Sequence, residues 1–526
     1  MEYKEINIGK HGDLANNGMK KVEAEGNDIL LCKSNGKFHA LGAKCPHYGA
    51  SLEEGLLHEG KIICPWHHAT FDLENGDVIE PPSKDCLMKF ELEVREDEII
   101  VRIPDEFSGS RQCEMTKYDP KSDDRTFVII GTGASGSSAA ETLRKNGYKG
   151  KIVMISNEKR LPYDRPNLSK EYMQGIAEES WMPLHSEDFY DEKGIELKLG
   201  VEVMSVGIGE KTVSMRNADK IKFDKLLIAT GGRPRNLNVD GVGLEGVFTL
   251  RSYDDADNIL SKVDSAKKAV VVGTSFIGME VASSLRDRDV DVTVVAPESV
   301  PFEYVLGKDV GRLIQNAHEK KDVNFKLGKT VKEFKGDQVV EKVILDNDEE
   351  LNADLVVIGI GVEPVAKFID AVDKNDDGSI KVDEFFAVTE DIFAAGDIAS
   401  FPYWRSGEEL RIEHWRTAEQ QGIIAARNML GERIPFKGVP FFWTNQAGLY
   451  MGYVGHASEW DNVIIHEDSE SGRFIAYYIH NGTINAALAN SMEREIDIID
   501  ELMRRNKMPS PEQVKEGFID LSKFLP

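Results

Sequence analysis

Phe127-Val-Ile-Ile-Gly-Thr-Gly-Ala-Ser-Gly-Ser-Ser-Ala-Ala-Glu-Thr-Leu-Arg-Lys-Asn-Gly147 decides the fold. An apolar strand, Phe127 to Ile130, runs into Gly131, Gly133 and Gly136 and then a helical stretch. Glycines at that spacing permit a tight turn, close backbone approach to a pyrophosphate and close helix–strand packing. The helix N-terminus attracts the phosphate charge. A second strand, Lys151 to Ser156, ends at Asn157-Glu158, twenty-two residues beyond Gly136. An acid there accepts hydrogen bonds from ribose hydroxyls. Strand, glycines, helix, strand and acid together specify a dinucleotide-binding βαβ unit; the glycines alone would not.

The unit recurs 142 residues later, from Gly131 to Gly273. Ala269 to Val272 is the strand, followed by Gly273, Ser275 and Gly278, a helix carrying Glu280, and the strand within Val290-Asp-Val-Thr-Val-Val-Ala-Pro-Glu-Ser299. Ser275 stands where the middle glycine is usual and is expected to crowd a pyrophosphate. Ala296 holds the usual acid position, so Glu298 is the expected ribose partner. No arginine follows closely to meet a 2′-phosphate, which favours NADH over NADPH. Two such units imply two dinucleotides, and redox flavoenzymes are the usual reason.

Upstream, residues 1–103 read as short β-segments with Ser-Asn-Gly-Lys and Glu-Asn-Gly-Asp turns between apolar runs. Cys45-Pro-His47 and Cys64-Pro-Trp-His67 stand in this region. Two thiolates and two imidazoles in paired loops suit zinc or an iron–sulfur cluster. Cys32, Cys86 and Cys113 are isolated in sequence and are expected to be thiols. Pro104 to Arg125 lacks periodicity, is rich in charge, Ser, Gly and Pro, and reads as a linker.

The surrounding residues choose between the metals. Cys-Pro-His-Tyr-Gly-Ala (45–50) and Cys-Pro-Trp-His-His-Ala-Thr-Phe-Asp (64–72) resemble the Rieske [2Fe–2S] signature. The resemblance implies Cys45 and Cys64 on the buried iron and His47 and His67 on the outer one. The extra cysteines that brace high-potential Rieske proteins are replaced here by Ala50 and Trp66, which points to a Rieske-type ferredoxin. His68 stands where the family usually has glycine. It is expected to be an exposed neighbour, strained if its φ is positive.

Residues 125–526 resemble the two-dinucleotide flavin reductases that include ferredoxin reductases of oxygenase systems, monodehydroascorbate reductase and apoptosis-inducing factor. With the N-terminal module, the whole chain resembles apoptosis-inducing-factor-like proteins of the Rieske-fused type. The resemblance assigns Arg165 and Lys170 of Leu-Pro-Tyr-Asp-Arg-Pro-Asn-Leu-Ser-Lys to the flavin, with Lys170 near its N5 edge. It assigns Glu280 to pair with that lysine and touch the nicotinamide, and Asp397 to the ribitol. Glu413, His414 and Trp415 match the segment over the flavin pyrimidine end, and Trp443 an aromatic of the C-terminal domain. Lys170 and Glu280 are thus the expected catalytic residues.

The implied architecture is multidomain. An all-β Rieske [2Fe–2S] domain (1–103) and a linker (104–124) precede two Rossmann-like α/β dinucleotide-binding domains. These are the FAD domain (125–252 and 385–436) and the NAD(H) domain (253–384). An α+β C-terminal domain of the reductase dimerisation type (437–526) follows. The implied activity is an NAD(P)H-dependent FAD reductase that passes electrons to the Rieske cluster and on to a protein or small-molecule acceptor. A redox-gated signalling protein and a quinone or ascorbate-radical reductase are the alternatives. No C-x4-C pair lies on the first flavin helix, so thiol–disulfide exchange is not the chemistry.

Composition agrees. At about 100–200 residues per domain, 526 residues allow several domains, and 91 acids against 64 bases give a net charge of −27. That field repels phosphate backbones, so no nucleic-acid partner is expected. The longest uncharged stretch, Gly438 to Ser458, carries Pro440, Asn445, Gln446 and His456 and reads as sheet and turn, so no transmembrane segment is expected. The N-terminal residues show neither a secretory nor a transit pattern; cytoplasm is the expected location, with mitochondria the alternative, and a homodimer is a further expectation. Residues 373–384, Asp-Lys-Asn-Asp-Asp-Gly-Ser-Ile-Lys-Val-Asp-Glu, match a calcium loop in spacing but lack helical patterning on both sides and read as an acidic turn.

Overall fold

The computed structural model describes residues 3–525. The chain forms two compact units: residues up to Met115 with Gly438–Trp443 and the stretch from Gly452, and Thr116–Lys437 with Thr444–Met451.

In the first unit, six strands form a sheet in the order Tyr3–Lys10, Glu98–Pro104, Lys89–Arg95, Lys37–Gly42, Asn27–Ser34 and Gly18–Ala24. Alternation sets the faces: Ile99, Val101 and Ile103 turn inward along one strand while Glu98 and Arg102 face solvent. Asn35 and Gly36 both adopt positive φ in the two-residue turn that pairs Ser34 with Lys37, as an Asn-Gly hairpin requires. A smaller four-stranded sheet, Leu56–His58, Lys61–Ile63, Thr70–Asp72 and Val78–Glu80, lies beside the two Cys–His loops in the chain.

Part of the expected linker is tied down. Ser110–Arg111 pairs antiparallel with Cys86–Leu87, and Cys86 is disulfide-bonded to Cys113. This corrects the expectation of two isolated thiols. Pairing returns the chain to the Cys86 strand across a separation of 27 residues, which local sequence does not encode. The C-terminal residues supply a five-stranded sheet ordered Phe441–Gln446, Leu449–Gly455, Thr483–Asn490, Arg473–His480 and Asn462–Asp468, followed by the helix Glu493–Arg504. That helix buries Ile496, Ile499, Leu502 and Met503 at helical spacing.

The second unit holds two five-stranded parallel sheets of the same design. The first is ordered Ile195–Lys198, Lys151–Ile155, Thr126–Ile130, Lys225–Ile228 and Ile392–Ala394. The second is ordered Val247–Thr249, Leu355–Ile358, Lys268–Val272, Asp291–Ala296 and Asn324–Leu327. Their central strands, Phe127-Val-Ile-Ile130 and Ala269-Val-Val-Val272, are buried throughout, as a parallel sheet covered on both faces demands. The crossover helices Ala134–Lys145 and Phe276–Arg286 follow the two glycine turns. Strand Ile392–Ala394 completes the first sheet from beyond the second.

Residues 373–384 contain no helix; they turn into the short strand Ile380–Lys381. Asp377 accepts from Arg411 Nε at 2.7 Å and from the Ser379 amide at 2.9 Å. A protein cation thus already occupies the fifth position of the apparent calcium loop. No helix among the described residues is long and apolar enough to cross a membrane.

Candidate functional site

The two Cys–His loops are built alike. In one, the Cys45 amide donates to Ala50 O at 2.9 Å and the Gly49 amide to Cys45 O at 2.8 Å. In the other, the Cys64 amide donates to Ala69 O at 2.9 Å and the His68 amide to Cys64 O at 3.1 Å. Both cysteines are buried among Leu41, Leu52, Ile62, Phe71 and Leu87. Cys64 and the backbone amides of His47 and Tyr48 donate towards Cys45 and hold its thiol low. Burial pushes the Cys64 thiol up, against the donating amides of Trp66 and His67, and both sulfurs face amide donors. The Nδ1 atoms of His47 and His67 are 3.0 Å apart. Burial lowers the His47 pKa to about 3, leaving a neutral imidazole fit to ligate. Among the described residues no three acidic, Cys or His side chains converge as a single ion requires. The donors instead form one sulfur pair and one imidazole pair, which fits a [2Fe–2S] cluster with Cys on one iron and His on the other.

His68 differs from expectation. It occupies the left-handed position, φ 59°, that Gly49 fills in the sister loop, and its side chain is only 1% exposed. Its Nε2 lies 2.8 Å from Asp497 Oδ1 and its Nδ1 3.8 Å from Asp500 Oδ2. Its ring stacks on Phe441 at 3.7 Å. Burial disfavours the imidazolium, but the two carboxylates outweigh burial and raise the pKa. The acids that meet this histidine come from the C-terminal helix, over four hundred positions away. Arg504 of that helix grips Glu80 with two bonds of 2.8 and 2.9 Å, and Arg505 grips Glu59 likewise at 2.8 and 2.6 Å. Trp443 lies 4.4 Å from His67 and 6.4 Å from His47, ring to ring, so it joins the cluster-ligand group.

At the first glycine turn, Gly131 has φ 109°, and a Cβ there would strike the Ala229 carbonyl. A Cβ on Gly136 would strike the Gly131 carbonyl, whereas Gly133 faces open space. Two glycines therefore serve packing and the third leaves room for a ligand, a cradle that fits a dinucleotide. Glu158 accepts from Arg165 Nη2 at 2.7 Å and from Tyr163 OH at 2.5 Å. Arg165 also donates to the Arg251 carbonyl, and Arg251 donates to Asp397 Oδ2 at 2.6 Å. Glu413 pairs with Arg411. Burial pushes its carboxyl up and nearby Asp397 adds to that, with Arg411 opposing. His414 stands at the N-cap position of the helix Trp415–Met429, which Trp415 opens, and both are half-buried.

The second turn repeats the cradle. Gly273 has φ 103°, and a Cβ there would meet the Gly359 carbonyl; one on Gly278 would meet Gly273 O. Ser275 Oγ folds back to accept from the Gly278 amide at 3.2 Å and caps the helix Phe276–Arg286. Glu298 accepts from Thr274 Oγ1 at 3.4 Å, beside that turn.

Within the second unit, a buried ion pair joins the segment after the first βαβ turn to the helix of the second. Lys170 Nζ lies 3.0 Å from Glu280 Oε2, and both side chains are almost fully buried. Lys170 also donates to Pro166 O at 3.1 Å. Ser169 Oγ donates to Glu280 Oε2 at 2.5 Å and Thr444 Oγ1 to Glu280 Oε1 at 2.6 Å. Sequence reading missed Arg251, Ser169 and Thr444. The last two adjoin Lys170 and Trp443, which was the only available signal; Arg251 had none.

Family models match in the same three blocks: a Rieske [2Fe–2S] domain over residues 4–91, a pyridine nucleotide-disulphide oxidoreductase over 125–422 and a reductase C-terminal domain over 441–525. Apoptosis-inducing factor 3 of Mus musculus is 34% identical over 508 residues, covering 93% of this chain and 82% of that protein. The ferredoxin–NAD(+) reductase component of the 3-phenylpropionate/cinnamic acid dioxygenase of Photorhabdus laumondii is 34% identical over 403 residues, 75% of this chain and 98% of that one. The crystal structure of the ferredoxin reductase for the CYP199A2 system from Rhodopseudomonas palustris aligns with a TM-score of 0.73 at 28% identity, covering 77% of this chain and 100% of that one. The only disulfide among the described residues, Cys86–Cys113, lies outside the oxidoreductase match. The chain is an NADH-dependent oxidoreductase with FAD and [2Fe–2S] cofactors. It belongs to the pyridine nucleotide-disulphide oxidoreductase family, with a Rieske domain joined in front and a reductase C-terminal domain behind.

Proposed function

We propose that residues 253–384 hold NADH, that residues 125–252 with 385–436 hold FAD, and that electrons leave through the group held by Cys45, His47, Cys64 and His67. FAD supplies hydride acceptance and stepwise electron release, and the cluster supplies one-electron carriage. The protein's share is position and charge. The Lys170 ammonium stabilises negative charge developing on the flavin, and Glu280 fixes that ammonium and faces the nicotinamide. Asp397, held by Arg251, orients the ribitol, while Glu413, His414 and Trp415 line the pyrimidine end and Arg165 lies beside the flavin. Gly131, Gly133, Gly136 and Glu158 seat FAD; Gly273, Gly278 and Glu298 seat NADH, where the Glu298 carboxylate repels a 2′-phosphate.

The buried Lys170–Glu280 pair carries this reading. A buried ion pair adds little stability over apolar residues, and this one joins the flavin motif to the helix of the second glycine turn. The acceptor is a one-electron protein or small oxidant.

Cys64→Ser tests the exit. With FAD content unchanged, the variant should still bleach its flavin with NADH at the wild-type rate and lose reduction of a one-electron acceptor such as cytochrome c. Undiminished acceptor turnover would mean that electrons leave from the flavin.

A further inference from the structure

Glu280 ends a buried hydrogen-bond array that the proposed function does not use. Thr444 Oγ1 lies 2.6 Å from Glu280 Oε1, Gln446 Nε2 3.0 Å from Thr444 Oγ1, and His318 Nε2 3.0 Å from Gln446 Oε1. Thr444, Gln446 and His318 are at most 2% exposed. The strand tip is pinned again where the Ala447 amide donates to Ser283 Oγ at 2.8 Å, three residues along the same helix as Glu280.

The array has one direction. A carboxylate only accepts and an ammonium only donates. Gln446 Nε2 gives its proton to Thr444, which frees the Thr444 proton for Glu280. Turning the Gln446 amide over would face the single Thr444 proton with two acceptors. The other end agrees: burial lowers the His318 pKa to about 4, and a neutral ring protonated on Nε2 donates to Gln446 Oε1. Its Nδ1 has no partner. Every proton therefore points towards Glu280. A carboxylate offers about four acceptor positions; Lys170 and Ser169 take those on Oε2 and Thr444 takes one on Oε1. One position, on Oε1, is left for a ligand N–H.

We propose that Thr444, Gln446 and His318 are positioning residues that aim the remaining acceptor position of Glu280 at a single N–H donor, the carboxamide of the nicotinamide. The C-terminal strand then sets the geometry of hydride transfer. This rests on the placement of NADH against Glu280 argued above.

The test compares Thr444→Val, which keeps volume and removes the proton, with Thr444→Ser, which restores it, and Gln446→Leu. NAD+ affinity is measured by calorimetry on the oxidised holoenzyme, alongside the rate of flavin bleaching by NADH, with FAD content and thermal midpoint reporting the fold. Thr444→Val should weaken NAD+ about tenfold and slow bleaching, while Thr444→Ser stays within about twofold and Gln446→Leu falls between. The 3-acetylpyridine analogue of NAD+, which has no N–H on its ring substituent, should bind wild type and Thr444→Val alike. Wild-type NAD+ affinity in Thr444→Val, a loss in Thr444→Ser as large as in Thr444→Val, or an equal loss for the analogue would overturn the proposal. A wild-type flavin that NADH does not bleach would instead overturn the reductase reading, before any variant is compared.

Discussion

Replacing His68 by glycine gives the second Cys–His loop the residue type that its sister loop has at Gly49. Two effects oppose each other. His68 sits at φ 59°, and relief of a left-handed non-glycine residue is worth about 1–2 kcal/mol. Against that, the substitution removes the imidazole 2.8 Å from Asp497, whose side chain is fully buried, and the stack on Phe441 at 3.7 Å. Removing one partner of a buried pair costs about 3–5 kcal/mol. The net is a loss of about 1–4 kcal/mol, or a fall of the thermal midpoint of roughly 2–16 °C for a unit of roughly 200 residues. The assay is visible circular dichroism of the cluster during heating at a fixed scan rate. His68→Gly with Asp497→Leu should recover most of the loss, because both halves of the pair are gone. A single His68→Gly variant as stable as wild type, or more so, would refute the reasoning and show that backbone strain dominates at this position.

Lys170→Ala should slow flavin bleaching by NADH about a hundredfold in stopped flow with FAD still bound; a normal rate would remove Lys170 from the hydride step. Acid should weaken the second unit through His318. The unfolded imidazole protonates below 6.5 and the buried one only near 4, so the unfolded chain binds more protons in that window. Stability therefore falls with falling pH there, by up to about 3 kcal/mol, and denaturation of His318→Phe with Gln446→Leu should show a flatter dependence. Calcium should leave reductase turnover unchanged, because Arg411 already holds Asp377; micromolar affinity in a titration would contradict that turn.

Residues whose chemistry is local were legible in the sequence. The glycine turns, the acids after the second strands and the Cys–His loops each need only a short window, and the structure brings each set together. Contacts made by chain return were not legible. Arg251 meets Asp397 across 146 residues and Thr444 meets Glu280 across 164, and no local pattern marks either arginine or threonine. His68, at a position where the family usually has glycine, is expected to be exposed from the sequence, whereas its burial is set by two acids and a phenylalanine near the far end of the chain. Ser275 was ambiguous in kind. A serine at a helix start can obstruct a ligand or cap the helix, and only its rotamer, pointing back to the Gly278 amide, shows the cap.

The central claim is that one chain takes hydride from NADH and delivers single electrons to its own Rieske cluster. Anaerobic stopped-flow absorbance of the purified holoenzyme mixed with NADH tests it most directly. Flavin bleaching followed by cluster reduction, at a rate independent of protein concentration, is the predicted result. A bleached flavin beside a cluster that stays oxidised, with iron and sulfide confirmed, would contradict it, as would a cluster-reduction rate that rises with protein concentration.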